Sequence, residues 1–222
     1  MPENSNNNNQ QDFIPAAPQL WLYDFLVRIL TREKTWRRAL LKEMNTQPND
    51  RIADIGCGTG TLISLIVKDI RPQVLVGIDP DLRILEMARR KTDFLNDLVE
   101  FRQGFARDAF TLLGGMGINK IVSSLVFHQV PLNEKLAGLE SMYRALSPGG
   151  QLFIADYGLQ RTSMMKKLFC IVQYGDGFEN TQPNAEGVLP DLILKAGFIE
   201  VRETQVIQTP TGSISIYKAR RN

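Results

Sequence analysis

Histidine is almost missing from this sequence and cysteine is scarce: there is one His and there are two Cys among 222 residues. His128, Cys57 and Cys170 cannot supply the four ligands of a Cys/His zinc site, so no metal is expected. They are equally too few for a disulfide framework, and reduced thiols are expected. Long apolar runs are lacking as well. The most apolar early stretch, Leu20 to Leu30, is broken by Asp24 and Arg28 and falls short of the roughly 20 residues that span a bilayer. The opening M-P-E-N-S-N-N-N-N-Q-Q-D has neither the basic segment nor the apolar core of a secretory signal. Surplus charge of one sign is missing too. Lys and Arg number 26 against 24 Asp and Glu, a formal net charge of +2, which points to no nucleic-acid partner. These absences predict a cytoplasmic protein without a transmembrane segment, and they leave peripheral membrane contact open.

What is present is ordinary for a globular chain, with 43% hydrophobic and 23% charged residues. The Asn/Gln-rich residues 1–12 bury nothing and read as a mobile tail. Residues 13–48 read as an N-terminal helical cap, with helix over 20–44 where Trp21, Phe25, Ile29 and Trp36 follow a helical repeat. From residue 49 strands and helices alternate. Arg51 to Ile55, Val74 to Asp79, Val99 to Gln103, Lys120 to Val126 and Gln151 to Asp156 read as strands. Between them, Leu62 to Asp69, the segment capped by Asp81, and Leu132 to Leu146 read as helices. This alternation predicts an α/β, doubly wound, Rossmann-like sheet that is mostly parallel. Gly187 to Ala196 reads as a last helix. Phe198 to Ile207 and Gly212 to Ala219 are joined only by T-P-T-G, too short for a crossover, so this pair is expected to be antiparallel. Residues 159–186 fit no such alternation.

The first chemical signal is I-A-D-I-G-C-G-T-G, Ile52 to Gly60. Gly56, Gly58 and Gly60 let backbone pass close to a ligand, and the following helix aims its N-terminal N–H groups at the same crevice. The dinucleotide fingerprint G-x-G-x-x-G is not met, because the third glycine comes one residue early and Thr61 holds the last place. Asp54, two residues before the first glycine, would repel a pyrophosphate and attract a cation. The loop therefore suits a nucleoside carrying positive charge. The plainer alternative is a tight turn in which Asp54 caps backbone N–H groups. The second signal is Asp79, 21 residues after Gly58 at the end of the second strand, where a carboxylate accepts hydrogen bonds from ribose hydroxyls. Its plainer alternative is a turn with Pro80.

D-I-G-C-G-T-G, V-L-V-G-I-D-P and L-S-P-G-G-Q-L-F-I-A-D, in that order between Arg51 and Asp156, resemble the class I S-adenosylmethionine (SAM) dependent methyltransferases. The resemblance implies a seven-stranded sheet with an antiparallel last strand, over residues 49–222 as the SAM-binding domain. It implies Asp54 and the loop of Gly56, Cys57, Gly58 and Gly60 near the methionine part of SAM, Asp79 on the ribose and Pro80 against the adenine, with S-adenosylhomocysteine as product. Where many relatives carry G-D-A after the third strand, this chain reads Q-G-F-A. Gly104, Phe105 and Ala106 then meet the adenine by stacking or backbone N–H, and Asp108 is a candidate substitute for the absent carboxylate.

The fourth strand ends S-S-L-V-F-H-Q-V-P, without the D-P-P-Y or N-P-P-Y motif of enzymes that methylate nucleic-acid amines. Ser124 and His128 at this place resemble the small-molecule branch, especially the ubiquinone/menaquinone-type methyltransferases, as do Tyr23-Asp24 and Trp36-Arg37-Arg38. In that branch the N-terminal helix closes over SAM, which implies that Tyr23 touches it. The acceptor is then a small lipophilic or aromatic molecule, and insertion 159–186, with Met164, Met165, Leu168 and Phe169, covers it or forms a plain amphipathic core helix. His128 is the candidate general base, or it only shapes the pocket. Asp156 either caps a loop or acts on substrate. A non-catalytic SAM-binding protein and a nucleotide-dependent oxidoreductase are the competing functions. The chain is expected to be a monomer or homodimer.

Overall fold

The chain enters its sheet in the middle. The computed structural model describes residues 31–222. Helix α1 (Glu33–Met44) precedes β1 (Arg51–Ile55), α2 (Thr61–Asp69), β2 (Val74–Asp79), α3 (Leu82–Thr92) and β3 (Val99–Gln103). Then follow α4 (Ala109–Leu113), β4 (Lys120–Ser124), α5 (Leu132–Ala145) and β5 (Gln151–Tyr157). The last part holds α6 (Ser163–Asp176), α7 (Phe178–Ala185), α8 (Leu189–Lys195), β6 (Ile199–Thr209) and β7 (Gly212–Arg220). The seven strands lie in the order β3-β2-β1-β4-β5-β7-β6. Strands β1 to β5 are parallel, and β7 runs antiparallel between β5 and β6. Winding reverses between β1 and β4, which makes the carboxyl ends of these two strands the ligand-binding crevice of an open α/β sheet.

Side chains alternate across the strands. Ala53, Ile55, Val76, Ile78, Ile121, Leu152 and Ile154 face a core built with α4, α5 and α8. Ile52, Leu75, Val122, Phe153 and Ala155 face the other core, where Trp36, Leu40 and Met44 of α1 and Leu62, Ile63 and Ile66 of α2 pack. Asp54 shares a strand face with Ile52, so a carboxylate points into this second apolar layer.

The strand and helix expectations hold from Arg51 onward, with three differences. Helix α4 stands between β3 and β4, where no helix was expected. The fourth strand ends at Ser124 because Leu125 turns into the left-handed region, at φ 56°. Residues 159–186 are mostly helical, as α6 and α7, with Thr162 capping α6 by accepting a hydrogen bond from the Met165 N–H. Of the expected helix over 20–44, residues Glu33–Met44 are seen as α1; the tail 1–12 lies outside the described residues. At the amino edge of the sheet, buried Asp50 accepts from Lys120 Nζ at 2.6 Å, Asn119 Nδ2 at 2.9 Å and the Gln47 N–H at 2.6 Å. Among the described residues no helix is long and apolar enough to cross a membrane.

Candidate cofactor and acceptor site

The loop after β1 is fastened to β2. The N–H groups of Gly56 and Cys57 both donate to the Ile78 carbonyl, at 2.8 and 3.0 Å. The Gly58 N–H donates to Asp79 Oδ2 at 3.0 Å, and the Asp81 N–H donates to Asp79 Oδ1 at 3.0 Å. Each oxygen of Asp79 thus keeps capacity for a further donor. Burial raises the pKa of Asp79, and the two N–H groups oppose that rise. The glycines differ in what they face. A Cβ on Gly56 would sit 2.2 Å from Val126 Cγ2, whereas a Cβ on Gly58 would meet nothing within 4 Å. Gly56 is required by packing, and Gly58 borders open space. Gly60 caps α2 from the left-handed region. Cys57 is a buried free thiol; its Sγ lies against Gly77, so only its backbone is offered to the loop.

Asp54 is wholly buried, and neither of its oxygens has a hydrogen-bond partner among the described residues. Burial pushes its pKa up to about 7; Arg37 pulls it down and Asp79 pushes it further up. The capping alternative read from the sequence does not hold, since Asp54 accepts no backbone N–H among these residues.

The turn after β3 closes on itself. The Phe105 N–H donates to Asp108 Oδ2 at 2.9 Å, and the Arg107 guanidinium lies 4.5 Å from the Phe105 ring centre. This bond engages the Phe105 N–H that was expected to face a ligand, while Asp108 keeps capacity for a further donor. A Cβ at Gly104 would lie 2.4 Å from Leu112 Cδ1, so this glycine also serves packing. Pro80 is half-buried, and its carbonyl accepts from Gln103 Nε2 at 3.0 Å.

The acceptor side is built from buried charges. Asp156, at the end of β5, accepts the N–H groups of Val126, Phe127 and Tyr157 at 3.0, 2.6 and 2.7 Å. It also meets His128 Nδ1 at 2.6 Å. His128 Nε2 lies 3.3 Å from Asp176 Oδ2 at the end of α6. Burial alone would lower the His128 pKa, but the charges and hydrogen bonds of Asp156 and Asp176 outweigh it and raise the pKa to about 9. At neutral pH the ring is therefore a cation donating at both nitrogens, a setting unlike that of a free base. Buried Lys135 donates to the Phe127 carbonyl and, at 3.0 Å, to the Asn180 carbonyl in α7; burial lowers its pKa to about 8. Ser124 is half-buried at the end of β4, while Ser123 Oγ is spent on the Ile55 carbonyl at 2.8 Å. Tyr23 lies outside the described residues.

Residues 53–152 match the family model of a methyltransferase domain. The chain is 28% identical over 172 residues to a ubiquinone/menaquinone biosynthesis C-methyltransferase from Geotalea daltonii, covering 72% of this chain and 67% of that protein. It is 30% identical over 152 residues to a demethylmenaquinone methyltransferase from Deinococcus radiodurans, covering 67% of this chain and 59% of that one. The fold superposes, at a TM-score of 0.73 and 14% identity, on a phosphoethanolamine N-methyltransferase from Haemonchus contortus solved with S-adenosylhomocysteine, over 96% of this chain and 60% of that one. The methyltransferase-domain match, the curated relatives and the fold neighbours together support a class I SAM-dependent methyltransferase. Its alignment spans about two thirds of the length of the first relative and less of the second.

In this chain the donor set fits SAM on its own evidence. An orphaned, buried carboxylate wants a cation, an anchored carboxylate with spare lone pairs suits a diol, and an open glycine between them admits a ligand. The loop-capping alternative read for Asp156 holds, since it accepts the N–H groups of Val126 and Phe127. Three features were missed from the sequence: Asp176, buried Lys135 and the left-handed Leu125. The first two meet partners far off in the sequence and carry no local signature. A leucine gives no hint of positive φ.

Proposed function

We propose that this chain transfers the methyl group of SAM to a small, lipophilic or aromatic acceptor held beneath residues 159–186. Asp54 carries the reading: a buried carboxyl with no hydrogen-bond partner among the described residues, beside a glycine that borders open space, is held in its charged form by an arriving positive group. Asp54 and the backbone of Gly56, Cys57, Gly58 and Gly60 hold the methionine end. Asp79 takes the ribose hydroxyls, and Pro80, Gly104, Phe105 and Ala106 line the adenine. Ser124 takes part in cofactor binding, and the family resemblance gives Tyr23 the same role. When bound, SAM supplies a methyl group already activated by its sulfonium. The chain's own residues align donor and acceptor and keep water out, which is worth up to roughly 7–11 kcal/mol in ideal cases. His128 takes a positioning role: as a cation it holds the turn after β4 against Asp156 and the end of α6, and it accepts no proton. The names of the two curated relatives point to a quinone-type acceptor, and Tyr157, Met165 and Phe169, all buried, supply an apolar wall.

The same clamped histidine favours a second reading, a protein that binds SAM without turning it over, because the chain's one imidazole is unavailable as a base. Conversion of labelled SAM to S-adenosylhomocysteine over a panel of acceptors separates the two. Turnover with a hydrophobic quinol or phenol supports the first. Turnover only with polar amines or acids overturns the lipophilic acceptor, and binding without any turnover gives the second reading the field.

A further inference from the structure

Helix α6 shows two unlike faces. Met165, Phe169 and Gln173 are buried inward, with the Phe169 ring 4.9 Å from that of Tyr157. Outward, Met164, Ile171 and Tyr174 recur on one side at helical spacing, and Phe178, which opens α7 after Gly177, is exposed nearby in the sequence. All four are exposed, Tyr174 at 95%. The charges on the helix are sorted in the same way. Its one carboxylate, Asp176, reaches inward to His128, whereas Lys166 and Lys167 are exposed and have no ion-pair partner among the described residues. Lys167 lies within the apolar stripe and Lys166 flanks it. The nearby Arg161 is paired with Glu203, and Glu179 stands beyond Phe178 as the first exposed carboxylate.

An apolar stripe whose only charges are cations matches the boundary between anionic headgroups and acyl chains. There the large side chains enter the hydrocarbon edge and the lysine stems snorkel their ammonium groups to the phosphates. We propose that the outward face of α6 docks on an anionic lipid surface. The inward face of the same helix packs at the acceptor side, so docking sets that side of the site beside the phase in which a lipophilic acceptor dissolves. This purpose rests on the proposed acceptor class; the docking itself does not.

Co-sedimentation of the full chain with phosphatidylcholine vesicles, with and without phosphatidylglycerol, tests it. Binding is expected with phosphatidylglycerol and is expected to weaken with added salt. Lys166→Glu with Lys167→Glu should weaken it by about tenfold or more, and Ile171→Glu with Tyr174→Glu should abolish it. Calorimetry with S-adenosylhomocysteine should give unchanged affinity in both variants, which reports that they fold. Absent binding by the wild type, or binding untouched in the Ile171/Tyr174 variant, overturns the proposal. So does a dimer in light scattering that Ile171→Glu disperses, since a second copy then owns the face. A fall in melting temperature on Ile171→Glu, with no vesicle binding, assigns the stripe to residues 1–30 and overturns it likewise. Vesicle binding without turnover of any hydrophobic acceptor leaves the docking standing and removes the acceptor reading alone.

Discussion

Two buried aspartates flank β1, four residues apart, and they are treated in opposite ways. Asp50, at the amino edge of the sheet, is met by an ammonium, a side-chain amide and a backbone N–H. Asp54, at the carboxyl edge, is more deeply buried and is met by no hydrogen bond among the described residues. Asp156, buried at the carboxyl end of β5, resembles Asp50, with three backbone N–H groups and an imidazole around it. A fold that twice satisfies a buried carboxylate so fully has the means to satisfy a third. That it leaves Asp54 bare among the described residues marks a group whose partner lies beyond them, the role proposed for the cofactor.

The contrast can be broken at several points. Asp50→Ala strands Lys120 as a buried, unmatched cation and should destabilise the protein by about 3–5 kcal/mol, or on the order of 10 °C in melting temperature by calorimetry. His128 tests the satisfied carboxylate on β5. Its pKa of about 9 in the fold lies above its ordinary 6.5, so its contribution is full below pH 6.5 and is lost as pH rises through 9. Lys135, lowered to about 8, acts in the opposite sense at higher pH. The comparison is therefore the stability gap between wild type and His128→Gln. That gap should shrink by on the order of 2–3 kcal/mol between pH 6 and pH 10 in urea titrations.

Asp54→Asn should do the reverse of Asp50→Ala. Because the Asp54 pKa is raised to about 7, its burial makes the fold less stable as pH climbs from about 4 to 7. The amide should flatten that decline and leave the empty protein as stable as wild type or more so at pH 8. Affinity for S-adenosylhomocysteine by calorimetry should fall at least tenfold, about 1.4 kcal/mol. Wild-type affinity should rise with pH through about 7 as the carboxylate ionises, and the variant's should not. The smallest effect is expected at Gly58. Gly58→Ala meets no atom within 4 Å and only a left-handed backbone, so it should lose about 1 kcal/mol. Gly56→Ala, driven into Val126, should lose more.

How much of this was legible in the sequence follows from how local each signal is. Strands β1 to β5 are short segments bounded by breakers, apolar in β2 and alternating in β3, and the T-P-T-G link dictates the antiparallel pair. Asp54, Asp79 and the glycines stand at fixed offsets within one βαβ unit, so they too could be read directly. The helices α6 and α7 were harder, because their apolar residues fall on both faces of α6. The cage around His128 was hidden for another reason. Its partners lie 28 and 48 positions away, and only the sheet order and the packing of α6 bring them together. Asp108 also serves a local end that spacing does not reveal, closing its own turn on Phe105.

The double hold of Ile78 on Gly56 and Cys57, with the Gly58 N–H on Asp79, makes a single bracket of two chain segments that meet across 21 positions of sequence. The carboxylate proposed for the sugar is oriented by the same backbone proposed to accommodate the rest of the ligand. Neither half can be displaced alone, so on this proposal a nucleoside would find its seat already shaped, with little ordering left to be done on contact.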